Sequence, residues 1–182
     1  MSNKVDRRLK SSGDMLNVCD IDLLKSPRAQ KAMEIFSEGY SCSQATFLAF
    51  NDLLDISYND AAKLASSFSA GMGRLREVCG SLTGIFMTAG MLYGHALTNE
   101  GDVKIEHNVR IQALTKRFKE LSLNILVQDS IICRDILHLN IIGADDPYRK
   151  SKKHDDNNDS PCAKLVEIGA FVLEEYISKN PF

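Results

Sequence analysis

Two copies of one signal bracket most of this chain. Ser26-Pro27 and Ser160-Pro161 each set an N-capping hydroxyl before a proline at the first helical position, where the missing N–H costs nothing. After the first pair, Ala32, Met33, Ile35 and Phe36 recur at helical spacing up to Gly39, which predicts a helix over residues 27–38. After the second, Leu165, Val166, Ile168, Phe171, Val172, Leu173 and Tyr176 predict a helix to about residue 178. Between them, Ser41 with Gln44 forms a capping box that opens a helix carrying Ala45, Phe47, Leu48, Phe50, Leu53 and Leu54. Ser57 to Asp60 starts a third, through Phe68, closed by Gly71-Met72-Gly73.

The stretch from Leu82 to Leu97 is interrupted by Gly84, Gly90, Gly94 and His95 and falls short of the roughly 20 apolar residues a bilayer requires. It reads as a buried core helix. Residues 102–123 read as a long amphipathic helix with Val103, Ile105, Val109, Leu114, Phe118 and Leu121 inward, and Ser130 as the cap of a short one from Ile131 to Leu137. Only residues 124–128 have a strand-like composition, and they lack a partner. The expected fold is therefore all-α, a single-domain bundle of about six to seven helices over residues 26–182. Residues 1–25 are expected to be a loosely held polar leader, and the charged run within 144–159 a mobile loop able to gate what it covers.

Cysteine placement points to chemistry. Of the five cysteines, Cys42, Cys79, Cys133 and Cys162 each fall at the predicted beginning of a helix, where unpaired N–H groups and a partial positive charge favour thiolate over thiol. Cys19 lies in the polar leader and is read as incidental. No C-x-x-C pair occurs, which argues against a thioredoxin-like motif and against the usual structural zinc module. Two chemistries stay open. The four thiols, as catalytic groups, can form dithiol/disulfide couples, or as metal ligands they can hold an iron–sulfur cluster, with zinc the weaker metal alternative. Gly71, Gly73, Gly80 and Gly84 permit tight turns and close backbone approach beside Cys79, although small-residue helix packing explains them about as well. A single cysteine is more often a small buried hydrophobe than a reactive group; four at helix starts tip the balance.

These residues resemble the C_GCAxxG_C_C family of redox-active proteins. The resemblance runs through Gly39-Tyr40-Ser41-Cys42-Ser43-Gln44-Ala45, Gly71-Met72-Gly73-Arg74, Cys79-Gly80-Ser81-Leu82-Thr83-Gly84, Cys133-Arg134-Asp135-Ile136-Leu137 and Pro161-Cys162. Ser81 stands where the family pattern has alanine, and its hydroxyl is expected to reach a neighbouring sulfur. The resemblance implies a redox role for the four matched cysteines and supplies no substrate. Gly80, Ser81 and Arg74 are the candidate cofactor-binding residues beside them.

Other features narrow the partners. A formal charge of -2 gives no basic surface for nucleic acid, and no segment has the apolar length for membrane insertion, so a cytoplasmic protein is expected. Cytoplasmic thiols are kept reduced, which disfavours static disulfides. Its partner would be a redox protein or a small-molecule substrate. The competing class is a non-catalytic helical binding or scaffold module, with zinc-structured and homodimeric forms, whose cysteines merely pack. His95, His107, His138 and His154 each lie alone in the sequence, and Arg74, Arg76 and Glu77 read as solvated loop residues, with a cation near Cys79 as the functional alternative.

Overall fold

The structure, a computed structural model, describes residues 23–96, 101–139, 145–146 and 160–182. Its α-helices are α1 (Pro27–Ser37), α2 (Cys42–Leu48), α3 (Tyr58–Ser66), α4 (Ser69–Met72), α5 (Gly80–Tyr93), α6 (Gly101–Leu126), α7 (Cys133–Ile136) and α8 (Pro161–Lys179). Single 3-10 turns occupy Leu23–Lys25 and Asn51–Leu53. The fold is all-α, and no strand occurs among the described residues; the one β-bridge pairs Val78 with Ile132. The leader from residue 1 to 22, and all of the expected 144–159 loop apart from residues 145 and 146, lie outside the described residues.

The predicted caps do their work. Ser26 accepts from the Ala29 N–H at 3.0 Å and Ser160 from the Ala163 N–H at 3.2 Å, while the Ser41 N–H donates to Gln44 Oε1 at 3.0 Å. Ser26 also donates to the Glu174 carboxylate, which ties the start of α1 to α8.

Helix α8 is the axis of the bundle and packs against α1, α2, α5 and α6. Its Leu165, Val166, Ile168, Ala170, Val172 and Leu173 are buried on several faces at once. Phe36, Phe47, Phe50 and Phe118 are fully buried around it. Each such burial contributes roughly 1.5–3 kcal/mol. An exposed ion pair such as Lys63–Asp60 is worth about 0–1 kcal/mol, so apolar burial dominates what holds the bundle together.

Three expectations are corrected. In α6 only Leu114, Phe118, Leu121 and Ser122 are buried; Val103, Ile105 and Val109 are exposed, because the first turns of this long helix extend past the core that α8 supplies. The third helix stops at Ser66, and Phe68 instead caps the distorted turn α4. The Ser130 helix begins at Cys133, because residues 131–133 first run extended beside 77–79: the Cys79 N–H donates to Ile131 O at 2.8 Å and the Cys133 N–H to Glu77 O at 2.6 Å. Ser130 still acts as a local cap, accepting from the Ile132 N–H at 3.0 Å.

Glycines set how closely α5 approaches its neighbours. A Cβ on Gly84 would lie 2.8 Å from Thr46 Cβ and 3.0 Å from Ser43 O, so α5 meets α2 almost backbone to backbone. The next contact, between α5 and α8, joins Ser81 to Gly169. The buried Ser81 hydroxyl donates to Leu165 O at 2.6 Å and lies 3.1 Å from Thr46 Oγ1. A Cβ on Gly169 would sit 2.1 Å from Ser81 Oγ but 3.5 Å from Ser81 Cβ. Gly169→Ala alone is therefore expected to cost about 1–3 kcal/mol by overpacking, and Ser81→Ala alone about 1 kcal/mol for the lost hydrogen bonds. The double variant should be more stable than Gly169→Ala, since the clashing oxygen is gone. Urea unfolding of all four proteins gives the cycle, and strictly additive effects would contradict this contact.

Candidate functional site

All four cysteines named from the sequence stand at helix starts. Cys42 is the first residue of α2, Cys79 the N-cap of α5, Cys133 the first residue of α7 and Cys162 the second of α8. All are free thiols, with Cys79 and Cys133 buried and Cys42 and Cys162 partly so. Cys19 lies outside the described residues.

The glycine block brings them together. A Cβ on Gly80 would fall 2.3 Å from Cys42 Sγ, so the residue after Cys79 touches the sulfur of Cys42 directly. A Cβ on Gly71 would fall 2.7 Å from Cys133 Cβ, and the preceding Ala70 N–H donates to the Cys42 sulfur. Successive residues of one turn thus touch Cys42 and Cys133. Electrostatics links the same set: Cys42 pushes up the thiols of both Cys79 and Cys162, and itself responds to Cys133. Cys42 is the hub.

The charge state differs from the expectation of ready thiolates. Burial pushes all four thiols up, Cys162 to about 12 and Cys79 well above the usual thiol range. N–H donors do point at the sulfurs, from Ala70 and Ser43 to Cys42 and from Leu82 and Ser81 to Cys79. A helix start contributes only about 0.3–1 kcal/mol, whereas removing a charge from water shifts a pKa by up to roughly 3–5 units, so desolvation wins.

The turn over the site is strained. Ala70, Gly71, Met72, Gly73 and Arg74 take φ of 52°, 74°, 63°, 64° and 65° in succession, and Arg76 takes 61°. Each non-glycine residue in that left-handed region costs roughly 1–2 kcal/mol. Such a cost persists where surrounding contacts impose it, commonly at functional sites. The contacts are visible here. Arg74 and Arg76 both bind the Asp145 carboxylate, Arg74 Nη2 at 2.8 Å and Arg76 Nε at 3.1 Å, with a second, shorter bond from Arg76 Nη2. Arg76 Nη1 also lies 3.8 Å from Cys133 Sγ. These arginines are not the solvated loop residues that the sequence suggested, since Arg76 is only 9% exposed. Asp145, held by the Arg76 guanidinium first and by Arg74 as well, is lowered to about 2. Glu77 pairs with Arg134 at 2.6 Å.

Of the expected cofactor-binding residues, Gly80 lies on Cys42, Arg74 is two residues before Arg76, the cation on Cys133, and Ser81 turns away. Its hydroxyl serves Leu165 and Thr46 and no sulfur. The histidines sit elsewhere. His95 and His107, distant in sequence, come together with ring centroids 6.4 Å apart where α5 ends and α6 begins; burial and the adjacent Arg110 hold His107 below its usual value. His138 lies 2.8 Å from the Gln128 amide, and His154 is outside the described residues. Among the described residues no group of three or more His, Cys, Asp or Glu side chains is arranged to hold a metal ion.

An all-α chain with four free thiols at helix starts matches a known family, described as "Putative redox-active protein (C_GCAxxG_C_C)", over residues 40–176. The chain belongs to that family. No curated protein matches the chain, and neither does any solved structure. No helix among the described residues is long and apolar enough to cross a membrane.

Proposed function

We propose that this is a thiol–disulfide redox protein of the cytoplasm in which two cysteines of the cluster, with Cys42 as the common member, cycle between dithiol and disulfide. Oxidation forms one S–S bond within the protein and passes two electrons and two protons to a disulfide partner, which is released as two thiols. The observation that supports this reading is four free thiols at four helix starts whose charges act on one another through Cys42, with Gly80 against Cys42 and Gly71 against Cys133. An iron–sulfur cluster on the same four sulfurs is the alternative that iron analysis separates from it.

Thiol counting tests the proposal. After treatment with a small disulfide, the denatured protein is expected to have lost two titratable thiols, recovered on reduction, and peptide mapping should place the link within Cys42, Cys79, Cys133 and Cys162. A full thiol count after oxidation would defeat the reading. Stoichiometric iron with visible absorbance after anaerobic purification would replace it with the cluster alternative.

A further inference from the structure

The four thiols are not equivalent. Among the described cysteines, Cys133 is the one whose sulfur lies within hydrogen-bond reach of a guanidinium, Arg76 Nη1 at 3.8 Å, and the backbone around it is fastened to the same segment through the Cys133 N–H on Glu77 O and the Arg134 N–H on Arg76 O at 3.0 Å. Beside it, two guanidiniums share the single carboxylate of Asp145. Among the described residues Asp145 is the carboxylate that both guanidiniums contact. Arg74 Nε is moreover a buried nitrogen with no hydrogen-bond partner among the described residues, although the Arg74 side chain as a whole is 18% exposed. A buried donor without an acceptor next to a reactive thiol is suited to an anionic group brought by a substrate.

Resting on the thiol–disulfide reading, we propose that Cys133 is the first thiol to react, and that Arg76 and Arg74, positioned by Asp145, select disulfide substrates bearing negative charge. Arg76 stabilises the Cys133 thiolate as its proton leaves. The thiolate attacks one sulfur of the substrate disulfide; that S–S bond breaks, a mixed disulfide forms on Cys133, and the other half leaves as a thiolate that takes up a proton. Cys42, on the same turn, then gives up its own proton and attacks Cys133 Sγ. A Cys42–Cys133 disulfide forms and the second substrate thiol departs. One substrate disulfide has become two thiols, and one protein dithiol has become a disulfide. Arg74 touches neither sulfur and acts on the charged portion of the substrate.

The test uses the full chain with two probe disulfides, anionic glutathione disulfide and cationic cystamine. The Cys42→Ser variant lacks the second thiol, so it is expected to accumulate one glutathione adduct, mapped by mass spectrometry to Cys133. Acid-quenched wild-type protein should show the same early adduct, which keeps the assignment testable if the variant folds poorly. Wild type is expected to react on the order of tenfold faster with glutathione disulfide than with cystamine, the scale of electrostatic steering. Arg74→Gln should bring the ratio of the glutathione disulfide rate to the cystamine rate from about tenfold towards one, whatever it does to each rate alone. An adduct on Cys42, Cys79 or Cys162, the lack of any adduct, or equal wild-type rates with the two probes would overturn the assignment. If wild type still forms an internal disulfide in those cases, the redox reading survives; if no oxidant forms one, that reading falls as well.

Discussion

Gly80→Ala is expected to destabilise the protein by about 1–3 kcal/mol, the range for overpacking a filled site, and to displace Cys42 from the cluster. The added Cβ would lie 2.3 Å from Cys42 Sγ and 3.2 Å from both Phe68 O and Ser43 N. Two of those three atoms are backbone and cannot rotate away, so the strain must move α5 relative to α2 or drive the sulfur out. Either outcome separates Cys42 from its partners. Gly90→Ala in the same helix provides the contrast, since nothing lies within 4 Å of a Cβ there. It removes the entropic cost of a helical glycine and should stabilise by about 0.5–1 kcal/mol. Urea midpoints of the two variants should therefore move in opposite directions. In Gly80→Ala, disulfide formation on oxidation should also fail or become slow. A Gly80→Ala protein as stable as wild type would mean that α5 does not press on Cys42.

This contact separates what the sequence discloses from what it conceals. Cap residues act within one turn, so Ser26, Ser41 and Ser160 announced their helices, and with them the positions of Cys42 and Cys162. Glycines four apart in an apolar run signalled close approach, and Gly80 and Gly84 do press on α2. The left-handed turn was invisible, because Ala70, Met72, Arg74 and Arg76 carry no local preference for positive φ and are held there by distant partners. Asp145 is the clearest case: nothing about an aspartate some seventy residues away marks it as the counterion of Arg74 and Arg76. The thiol charge state was misjudged for a related reason. Helix position is local and readable, whereas desolvation is fixed by how many elements close over a sulfur. The same lesson applies to α6, whose periodicity is genuine but whose Val103, Ile105 and Val109 are left exposed.

Alkaline pH is expected to weaken the fold through these same thiols, and Cys162 gives the largest effect that can be assigned a size. Its pKa is raised to about 12 by burial first, then by Cys42 and Cys133, against a value of 9.0 for an unperturbed thiol. Below pH 9 both folded and unfolded chains keep the proton, and the stabilisation is fully present. Between the two values the unfolded chain ionises while the folded one does not, so the unfolded state binds fewer protons and stability falls as pH rises. The loss from Cys162 is about 2 kcal/mol by pH 10.5 and roughly 4 kcal/mol once pH passes 12, at about 1.36 kcal/mol per unit. That is a large share of the ~5–15 kcal/mol that holds a typical domain folded. Cys42, Cys79 and Cys133, also raised, act in the same direction. Tyr58 and Tyr93 do too, so the informative quantity is a difference. Urea unfolding of wild type and Cys162→Ala at intervals from pH 8 to 10.5 should show the wild-type curve falling more steeply, the gap between them narrowing by about 2 kcal/mol. Parallel curves would mean that Cys162 is not closed over by the cluster. The oxidised protein adds a link to function: a disulfide has no proton to lose, so oxidation should flatten the alkaline slope by the share of whichever two cysteines it joins.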